Sequence, residues 1–314
     1  MLVDALLGFT QTKNRKPMKK TIAFLLLGGM AITFNACGSD DENENSTADT
    51  NINKNSTVTC TEASRLEFPQ LKGGNSVVIV HRTGGDVNYS VEWDIDLKSQ
   101  RWSCYTLDRK SLTSRTSRYY GNPQYPLDPD LPLRFYLDRP TADYSEGDYF
   151  YGSGYDHGHI CPSADRLYSQ EANYQTFYLT NMQPQYNAFN ANLWANMEEQ
   201  VRIWARASTT ETLYVCKGAT IDKAEHRLLP IKNKLLVPRY FFMALLLKNA
   251  QGYRAMAFWA ENENVDRSND KLSKYAISVD ELEKRTGIDF FCNLPDETEN
   301  QVEKNLVSNA WGLR

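Results

Sequence analysis

The stretch YDHGHICPSADR, which runs from Tyr155 to Arg166, organises the chain. It holds two of the four histidines among 314 residues, His157 and His159, together with two aspartates, an arginine and a cysteine. Because the ordinary pKa of histidine lies close to neutrality, histidine beside carboxylates suits proton transfer or metal binding. Taken alone, the run also fits a polar turn whose side chains hydrogen-bond the local backbone.

A run dense in side-chain amides follows, NMQPQYNAFNAN at 181–192. It offers neutral oxygen ligands, or it is an ordinary polar loop that ends in a helix cap. Over 192–207 the apolar residues recur with helical spacing and predict an amphipathic helix. If this helix begins near Asn190, that residue and Glu198 lie over the same face, because eight residues make slightly more than two turns.

Runs of β-branched, aromatic and aliphatic residues predict strands on both sides of this region. The predicted strands are 76–81, 89–95, 102–107, 176–180, 212–215, 235–238, 240–247 and 255–260, and a long irregular loop covers 115–140. Short helices are expected at 171–175 and, after the N-cap Ser278, at 279–285. This order predicts an α+β fold of central antiparallel sheets flanked by helices.

The N-terminus predicts export. A basic start at Met18 precedes an apolar run of 14 residues, 21–34, which has the length of a signal-peptide core rather than that of a membrane span. The run closes on a small residue and Cys37, which resembles a bacterial lipobox with a lipidated cysteine. We therefore expect an upstream extension and lipoprotein signal peptide at 1–36, a disordered acidic tether at 37–59 and the functional domain at 60–314. The lipid on Cys37 would hold that domain at a membrane, the outer one, facing the periplasm or the exterior.

The composition excludes several function classes. The formal net charge is −4 and the pI is about 5.7, so a polyanion site would need a local cluster of basic residues or a metal ion. The sequence contains no glycine-rich phosphate loop, no G-x-S-x-G elbow and no C-x-x-C pair. Beyond Cys37 five cysteines remain, so at least one thiol stays free, and Cys216 and Cys292 are candidates for a pair.

Four motifs stand in order along the chain: DHGH at 156–159, NMQPQ at 181–185, Asn190-x-x-x-Trp194-x-x-x-Glu198, and VDELEKRTG at 279–287. Together they resemble the DNA/RNA non-specific endonucleases, which carry a ββα-metal (His-Me) finger. The resemblance implies a metal-dependent hydrolase that cleaves phosphodiester bonds of DNA and RNA. It also implies Mg²⁺ as the cofactor, with Mn²⁺ or another divalent cation as a substitute.

The resemblance implies roles for individual residues as well. His159 matches the general base that activates the attacking water, Asn190 the protein ligand of a hydrated Mg²⁺, and Glu198 a glutamate that holds metal-bound water. The remaining matches are Asn181, which orients the histidine; Arg202, near the leaving group; Arg118, with Arg115 as competitor, at the scissile phosphate; and Gln185, at a substrate-binding position.

One position departs from the family's usual Asp-Arg-Gly-His, because His157 replaces the arginine. Arginine is a permanent bidentate phosphate partner, whereas histidine is cationic only part of the time near neutrality. We assign His157 to substrate binding and expect activity that is weaker or more acid-dependent. Asp156, Gly158 and the glycines before them are expected to form the turn that presents His159.

The chemistry supports this interpretation independently of the resemblance. Hydrolysis of a phosphodiester needs a deprotonated water and an ion that neutralises developing charge, and a neutral Asn oxygen suits Mg²⁺, which keeps most of its waters. Contacts to backbone phosphate imply little sequence specificity. Two alternatives stay open: a catalytically attenuated nucleic-acid-binding surface lipoprotein, and a zinc site formed by His157, His159 and Cys161.

Overall fold

The computed structural model describes residues 50–136, 149–306 and 308–313. These residues belong to one compact unit, Thr47–Arg314. The expected signal peptide at 1–36, the expected lipidation site Cys37 and most of the expected tether lie outside the described residues. Within the described ranges, no helix has both the length and the apolar character needed to cross a membrane.

Eleven β-strands are found in the described residues, and seven of them form one antiparallel sheet. The strands are β1 (Ser76–Thr83), β2 (Asp86–Asp94), β3 (Ser99–Leu107), β4 (Tyr155–His159), β5 (Met182–Tyr186), β6 (Thr212–Ala219), β7 (Arg227–Ile231), β8 (Leu235–Pro238), β9 (Tyr240–Asn249), β10 (Gly252–Glu261) and β11 (Ala276–Ile277). The central sheet has the order β1-β2-β3-β6-β9-β10-β11, while β4 pairs with β5 and β7 with β8.

Four α-helices accompany the sheets in the described part of the chain: α1 (Gln170–Gln175), α2 (Ala195–Arg206), α3 (Val279–Thr286) and α4 (Asp296–Glu303). Ser278 caps α3 as expected, since its hydroxyl accepts a hydrogen bond from the backbone of Glu281 at 3.2 Å. All the strand pairs are antiparallel. The predicted α+β fold with antiparallel sheets is confirmed.

Strand β9 is buried along most of its length because the central sheet is covered on both faces. Successive side chains of a strand point to opposite faces. Accordingly, Phe241 and Met243 belong to one hydrophobic cluster, whereas Phe242 and Ala244 belong to another. The first cluster includes the apolar side of α2 and the second that of α3. The stripe predicted for residues 192–207 is therefore the side of α2 that packs on the sheet.

Strands β4 and β5 form an antiparallel pair that leads into α2. In their register His159 lies opposite Met182 and Asp156 opposite Gln185. After β5 the chain makes a wide π-helical turn, Phe189–Trp194, that continues directly into α2. The result is a ββα unit with the DHGH motif on its first strand and Asn190 in the turn before its helix.

Two local predictions in this unit are wrong. Residues 176–180 form turns rather than a strand, and the strand is β5, inside the amide-dense run. Asn181 closes these turns, because its side-chain nitrogen donates to the carbonyl of Thr176 at 2.8 Å. The DHGH motif is not a turn but lies in β4. The turn precedes it, at Gly152 and Gly154, whose φ angles of 66° and 82° are left-handed and favour glycine.

The expected disordered tether at 37–59 does not extend to residue 59, because the described residues from Thr50 onward are bound to the domain. Asn51 donates to the carbonyl of Cys292 at 3.1 Å. Asn55 is buried and donates to the carbonyls of Ala63 and Pro69 at 3.1 and 2.9 Å. Three asparagines in this segment have side-chain amides that can hydrogen-bond to the domain. A hydrophobicity pattern does not show such bonds, so composition alone predicted disorder here.

The five described cysteines are all unbonded thiols. Cys216 lies opposite Cys104 in the register of β3 and β6, and not beside Cys292, which is on the segment after α3. Burial raises the pKa of both Cys104 and Cys216 well above the ordinary value of a thiol. The pair considered from the sequence, Cys216 with Cys292, is therefore not formed.

Candidate active site

A cavity of about 520 Å³ opens beside the ββα unit. It brings together residues that are far apart in the sequence, from the irregular loop, β4, the π-helical turn and α2. Its lining includes Arg118, Tyr125, Phe150, Asp156, His157, His159, Asn190 and Glu198. Five of the eight catalytic, substrate-binding and metal-binding residues predicted from the sequence thus line this one cavity.

His159, the last residue of β4, has one ring nitrogen held and the other available. The ring is hydrogen-bonded to the backbone of His157. Nε2 is buried and has no hydrogen-bond partner among the described residues. The held atom is therefore Nδ1, which donates its proton to the His157 carbonyl, and the lone pair of Nε2 remains to accept a proton.

The surroundings keep the His159 ring neutral. Burial lowers its pKa well below the ordinary value, and the positive charge of Arg118 lowers it further. Phe177 packs edge-on against the ring, with 4.8 Å between the ring centroids. A neutral imidazole with an unpartnered lone pair is the form that a general base requires.

Asn190 is oriented by a carboxylate on β4. Its side-chain nitrogen donates to Oδ2 of Asp156 at 3.0 Å, and Asn187 donates to the same oxygen at 2.9 Å. Because the amide nitrogen is occupied, the side-chain oxygen of Asn190 is the atom that remains for a ligand. Asp156, which the sequence suggested only as part of a turn, is therefore a positioning residue.

Glu198 forms a buried ion pair with Lys217 of β6. Lys217 is 1% exposed, and its ammonium lies 4.7 Å from the ring centroid of Trp194. Burial raises the pKa of Glu198, while the charge of Lys217 opposes that rise. Lys217 was not predicted from the sequence, although a lysine inside the mostly apolar run TLYVCKGA is a visible signal.

Of the two competing arginines, Arg118 lines the cavity. Its guanidinium lies over the ring of Phe177, 4.8 Å from the centroid, so the aromatic ring that packs against His159 also supports the arginine. Arg115 lines a separate cavity of about 190 Å³. The placement in the structure favours Arg118 as the cation that faces a bound phosphate.

His157, which stands where the family usually has arginine, is held between two aromatic rings. Its ring stacks on Tyr125 at 3.8 Å and on Phe150 at 4.0 Å between centroids, with interplanar angles of 9° and 21°. The side chain is 9% exposed and still borders the cavity. Stacked contacts of this kind stabilise the wall of the cavity as well as place the imidazole.

Asn181 acts on His159 through the backbone. Its side-chain oxygen accepts from the backbone nitrogen of Cys161 and its nitrogen donates to the carbonyl of the same residue, both at 2.8 Å. Its own carbonyl accepts from the backbone of Ile160 at 3.0 Å. Asn181 thus fixes the two residues that follow His159, and it is a positioning residue rather than one that touches the reacting atoms.

Gln185 and Arg202 are outside the described lining of the cavity. Gln185 is fully buried and its side chain crosses Gly158, where an added Cβ would lie 2.3 Å from its Oε1. Arg202 donates to Asp165 and to Glu199, each at 2.9 Å. The substrate contact expected for Gln185 is contradicted by its burial, and Arg202 is engaged in ion pairs.

The zinc alternative is not supported. Among the described residues, clusters of three or more His, Cys, Asp or Glu side chains with adjacent ligand atoms do not include His157, His159 and Cys161. Burial raises the pKa of the Cys161 thiol to about 12, which disfavours the thiolate that zinc requires. The neutral oxygen of Asn190 and the carboxylate of Glu198 instead suit a hard divalent cation.

The family model described as DNA/RNA non-specific endonuclease matches residues 63–297. A nuclease of Nostoc sp. is 33% identical over 162 residues, which are 49% of this chain and 57% of that protein. Nuclease 1, mitochondrial, of Schizosaccharomyces pombe is 29% identical over 236 residues, 70% of this chain and 69% of that protein. Endonuclease G, mitochondrial, of Bos taurus is 30% identical over 175 residues, 52% of this chain and 55% of that protein.

The chain thus spans just over half the length of the Nostoc and bovine relatives. One chain of the crystal structure of an EndoG/EndoGI complex superposes with a TM-score of 0.57 at 20% identity, covering 71% of this chain and 89% of that one. At this identity the likeness concerns the fold. Because the family model covers most of the described domain, this chain belongs to the DNA/RNA non-specific endonuclease family.

Proposed function

We propose that this chain is a metal-dependent endonuclease that hydrolyses phosphodiester bonds of DNA and RNA without sequence specificity. The carrying observation is the pairing, in one cavity, of the unpartnered Nε2 of His159 with the oriented side-chain oxygen of Asn190. A proton acceptor and an oxygen ligand at one site are what phosphodiester hydrolysis requires. Membership of the family supports the same activity.

In the proposed reaction, Nε2 of His159 accepts a proton from a water molecule while the water oxygen forms a bond to phosphorus. The phosphorus–oxygen bond to the leaving group then breaks, and that oxygen takes up a proton from solvent. Arg118 neutralises charge on the non-bridging oxygens, because its guanidinium is always cationic. The carbonyl of His157 keeps the His159 proton on Nδ1, so that Nε2 faces the water.

We propose Mg²⁺ as the resident cation, with Mn²⁺ as a substitute. Asn190 would be its direct protein ligand and Glu198 would act on its waters. The cation would supply electrostatic stabilisation of the developing negative charge. A single neutral ligand suits Mg²⁺, which dehydrates reluctantly and keeps several waters.

The lining of the cavity accounts for broad substrate use. Its basic and metal-binding groups would contact phosphate, and two of its aromatic residues, Tyr125 and Phe150, are already stacked on His157. Phosphate contacts position a nucleic acid without conveying base sequence. The proposal therefore includes single-stranded and double-stranded DNA and RNA as substrates.

The test is cleavage of supercoiled plasmid and of a long RNA by the purified chain, with Mg²⁺, with Mn²⁺ and with a chelator. We expect cleavage of both polymers, loss in chelator, and loss of about 10²-fold or more in His159→Ala. His226→Ala is the matched control, because His226 lies outside the described cavity lining. Binding without cleavage, or cleavage by His159→Ala at the wild-type rate, would contradict the proposed mechanism.

We further propose that the enzyme is exported and anchored through Cys37 to the outer membrane. The support is the apolar run followed by a lipobox-like cysteine and an acidic segment. Cys37→Ser should release the protein from the membrane fraction while leaving nuclease activity intact. Retention of the serine variant in that fraction would refute the anchor and leave the nuclease proposal untouched.

A further inference from the structure

A group of acidic side chains lies on the sheet face opposite α2. Carboxylate oxygens of Asp280, Glu283 and Glu303 are within 4.8 Å of one another. Asp280 and Glu283 are three residues apart on α3 and so share one side of that helix, while Glu303 is the last residue of α4. Because α3 and α2 pack in different hydrophobic clusters, the sheet separates this acidic group from His159.

Glu303 is the most informative member of the group. It is only 4% exposed, and its Oε1 is buried with no hydrogen-bond partner in the part of the chain that the structure describes. A buried acceptor without a partner costs free energy, and a helix C-terminus disfavours a negative charge. A carboxylate oxygen of Glu303 lies within 4.8 Å of those of Asp280 and Glu283, an arrangement that a bound cation explains.

The charged side chains that act most strongly on Glu303 are all acidic. The nearby Asp289 and Glu299 are also acidic, and none of the ion pairs formed between described residues includes Glu283 or Glu303. Such a group is neutralised either by taking up protons or by binding a cation.

A neutral side chain from the N-terminal segment binds the two neighbouring acids, Asp289 and Glu299. Asn53 donates through its nitrogen to Asp289 at 3.1 Å and to Glu299 at 3.0 Å. Its Oδ1 is buried and finds no partner among the residues described. The cluster therefore connects α3, α4 and the segment that begins at Thr50.

We propose that Asp280, Glu283 and Glu303 bind a divalent cation of the calcium type, separate from the catalytic metal. The ligands are all oxygen atoms, which excludes a preference for zinc or copper. Three carboxylates on two helices give an adaptable site, and Ca²⁺ accepts six to eight oxygens in flexible geometry, whereas Mg²⁺ demands a near-ideal octahedron. The bound ion would stabilise the attachment of α4 and of the N-terminal segment to α3.

The test uses the full chain in an Asn190→Ala background, which removes the proposed direct ligand of the catalytic metal. After treatment with a chelator, Ca²⁺ is titrated to about 1 mM, and binding is followed by calorimetry and by the midpoint of thermal unfolding. We expect one bound Ca²⁺ per chain and a rise in Tm of about 5 °C. The same concentration of Mg²⁺ should give a smaller rise.

Two variants distinguish a site from general charge effects. Glu303→Gln should abolish the Ca²⁺-dependent rise in Tm, and because it removes a buried charge it should remain folded. Glu297→Gln, at an exposed position on α4, is the matched control and should keep the full response. An equal response in Glu303→Gln, or no Ca²⁺ response in the parent, would overturn the proposal and indicate that the acids are simply protonated. Neither outcome bears on cleavage by the wild-type cavity.

Discussion

Asp156 accepts a hydrogen bond from the side-chain nitrogen of Asn190 at 3.0 Å, and this contact joins the strand of the proposed general base, His159, to the turn of the proposed metal ligand, Asn190. His159 is three residues further along the same strand. The bond therefore sets both the distance between the two functional groups and the direction of the Asn190 oxygen.

Asp156→Ala should weaken metal binding more than it weakens folding, because Asn190 loses the partner that orients its amide. Removal of a residue that orients a metal ligand typically lowers affinity by about 10–100-fold. The measurement is the Mn²⁺ concentration that gives half-maximal cleavage. Glu225→Ala, at an exposed acid outside the described cavity lining, should leave that concentration unchanged; an unchanged value in Asp156→Ala would refute the positioning role.

The pH profile of kcat/KM should show an acid limb set by His159. Its pKa is lowered by burial and then by Arg118, so the neutral base persists well below the ordinary value of about 6.5. Arg118→Ala removes one of these causes, raises the pKa and moves the limb to higher pH. Arg115→Ala, which alters the separate cavity, should leave the limb in place. A limb that does not move in Arg118→Ala would argue against proximity of the two charges.

The same shift affects stability. The unfolded chain binds a proton at His159 near the ordinary pKa, whereas the folded chain resists it, so this contribution to stability is complete above about pH 6.5 and is lost as the pH falls below that value. The free energy of unfolding should decrease less steeply with acid in His159→Phe than in the wild type. The free energy of unfolding is measured by urea unfolding at several pH values. If it falls equally steeply with acid in the variant and in the wild type, the assignment is contradicted.

Gly158→Ala should destabilise the ββα unit. The added Cβ would lie 2.3 Å from Oε1 of Gln185, closer than any tolerable contact, and overpacking of this kind costs about 1–3 kcal/mol. Urea unfolding measures the loss. The double variant Gly158→Ala with Gln185→Ala should recover part of it, and a full additive loss would show that the clash is not the cause.

Lys217→Met should cost about 3–5 kcal/mol in the free energy of unfolding, because it leaves the carboxylate of Glu198 without its buried partner. A second change, Glu198→Gln, should restore much of that stability by removing the uncompensated charge. The cleavage rate should be below the wild-type rate in both the single and the double variant. If Lys217→Met were as stable as the wild type, the ion pair of Lys217 with Glu198 would not stabilise the fold.

His157→Arg should raise kcat/KM for DNA, most strongly above neutral pH, because a guanidinium remains cationic there and can also stack between Tyr125 and Phe150. His157→Phe keeps a stacked ring without a cation, so it should preserve stability and lose activity. A variant with phenylalanine that cleaves as well as the wild type would show that His157 only supports the cavity wall.

The sequence predicted the parts of the site that local spacing determines. The DHGH motif identified His159, and the spacing from Asn190 to Glu198 placed both near the start of one helix, where they do line the cavity. The strand expected at 176–180 was misplaced because the apolar residues there are buried in turns that Asn181 closes. A hydrophobic pattern does not distinguish a buried strand from buried turns.

What the sequence alone determined about this protein is the family and the α+β class, and it predicted His159 as the base and Asn190 as the metal ligand, since these follow from motif order and from side-chain chemistry. The tertiary structure decided which side chains contact one another in the site. Asp156 with Asn190, Lys217 with Glu198 and the aromatic rings around His157 meet only after the sheet and the ββα unit pack together. Hydrogen bonds and ion pairs between distant segments depend on three-dimensional register, which no local pattern of residues encodes.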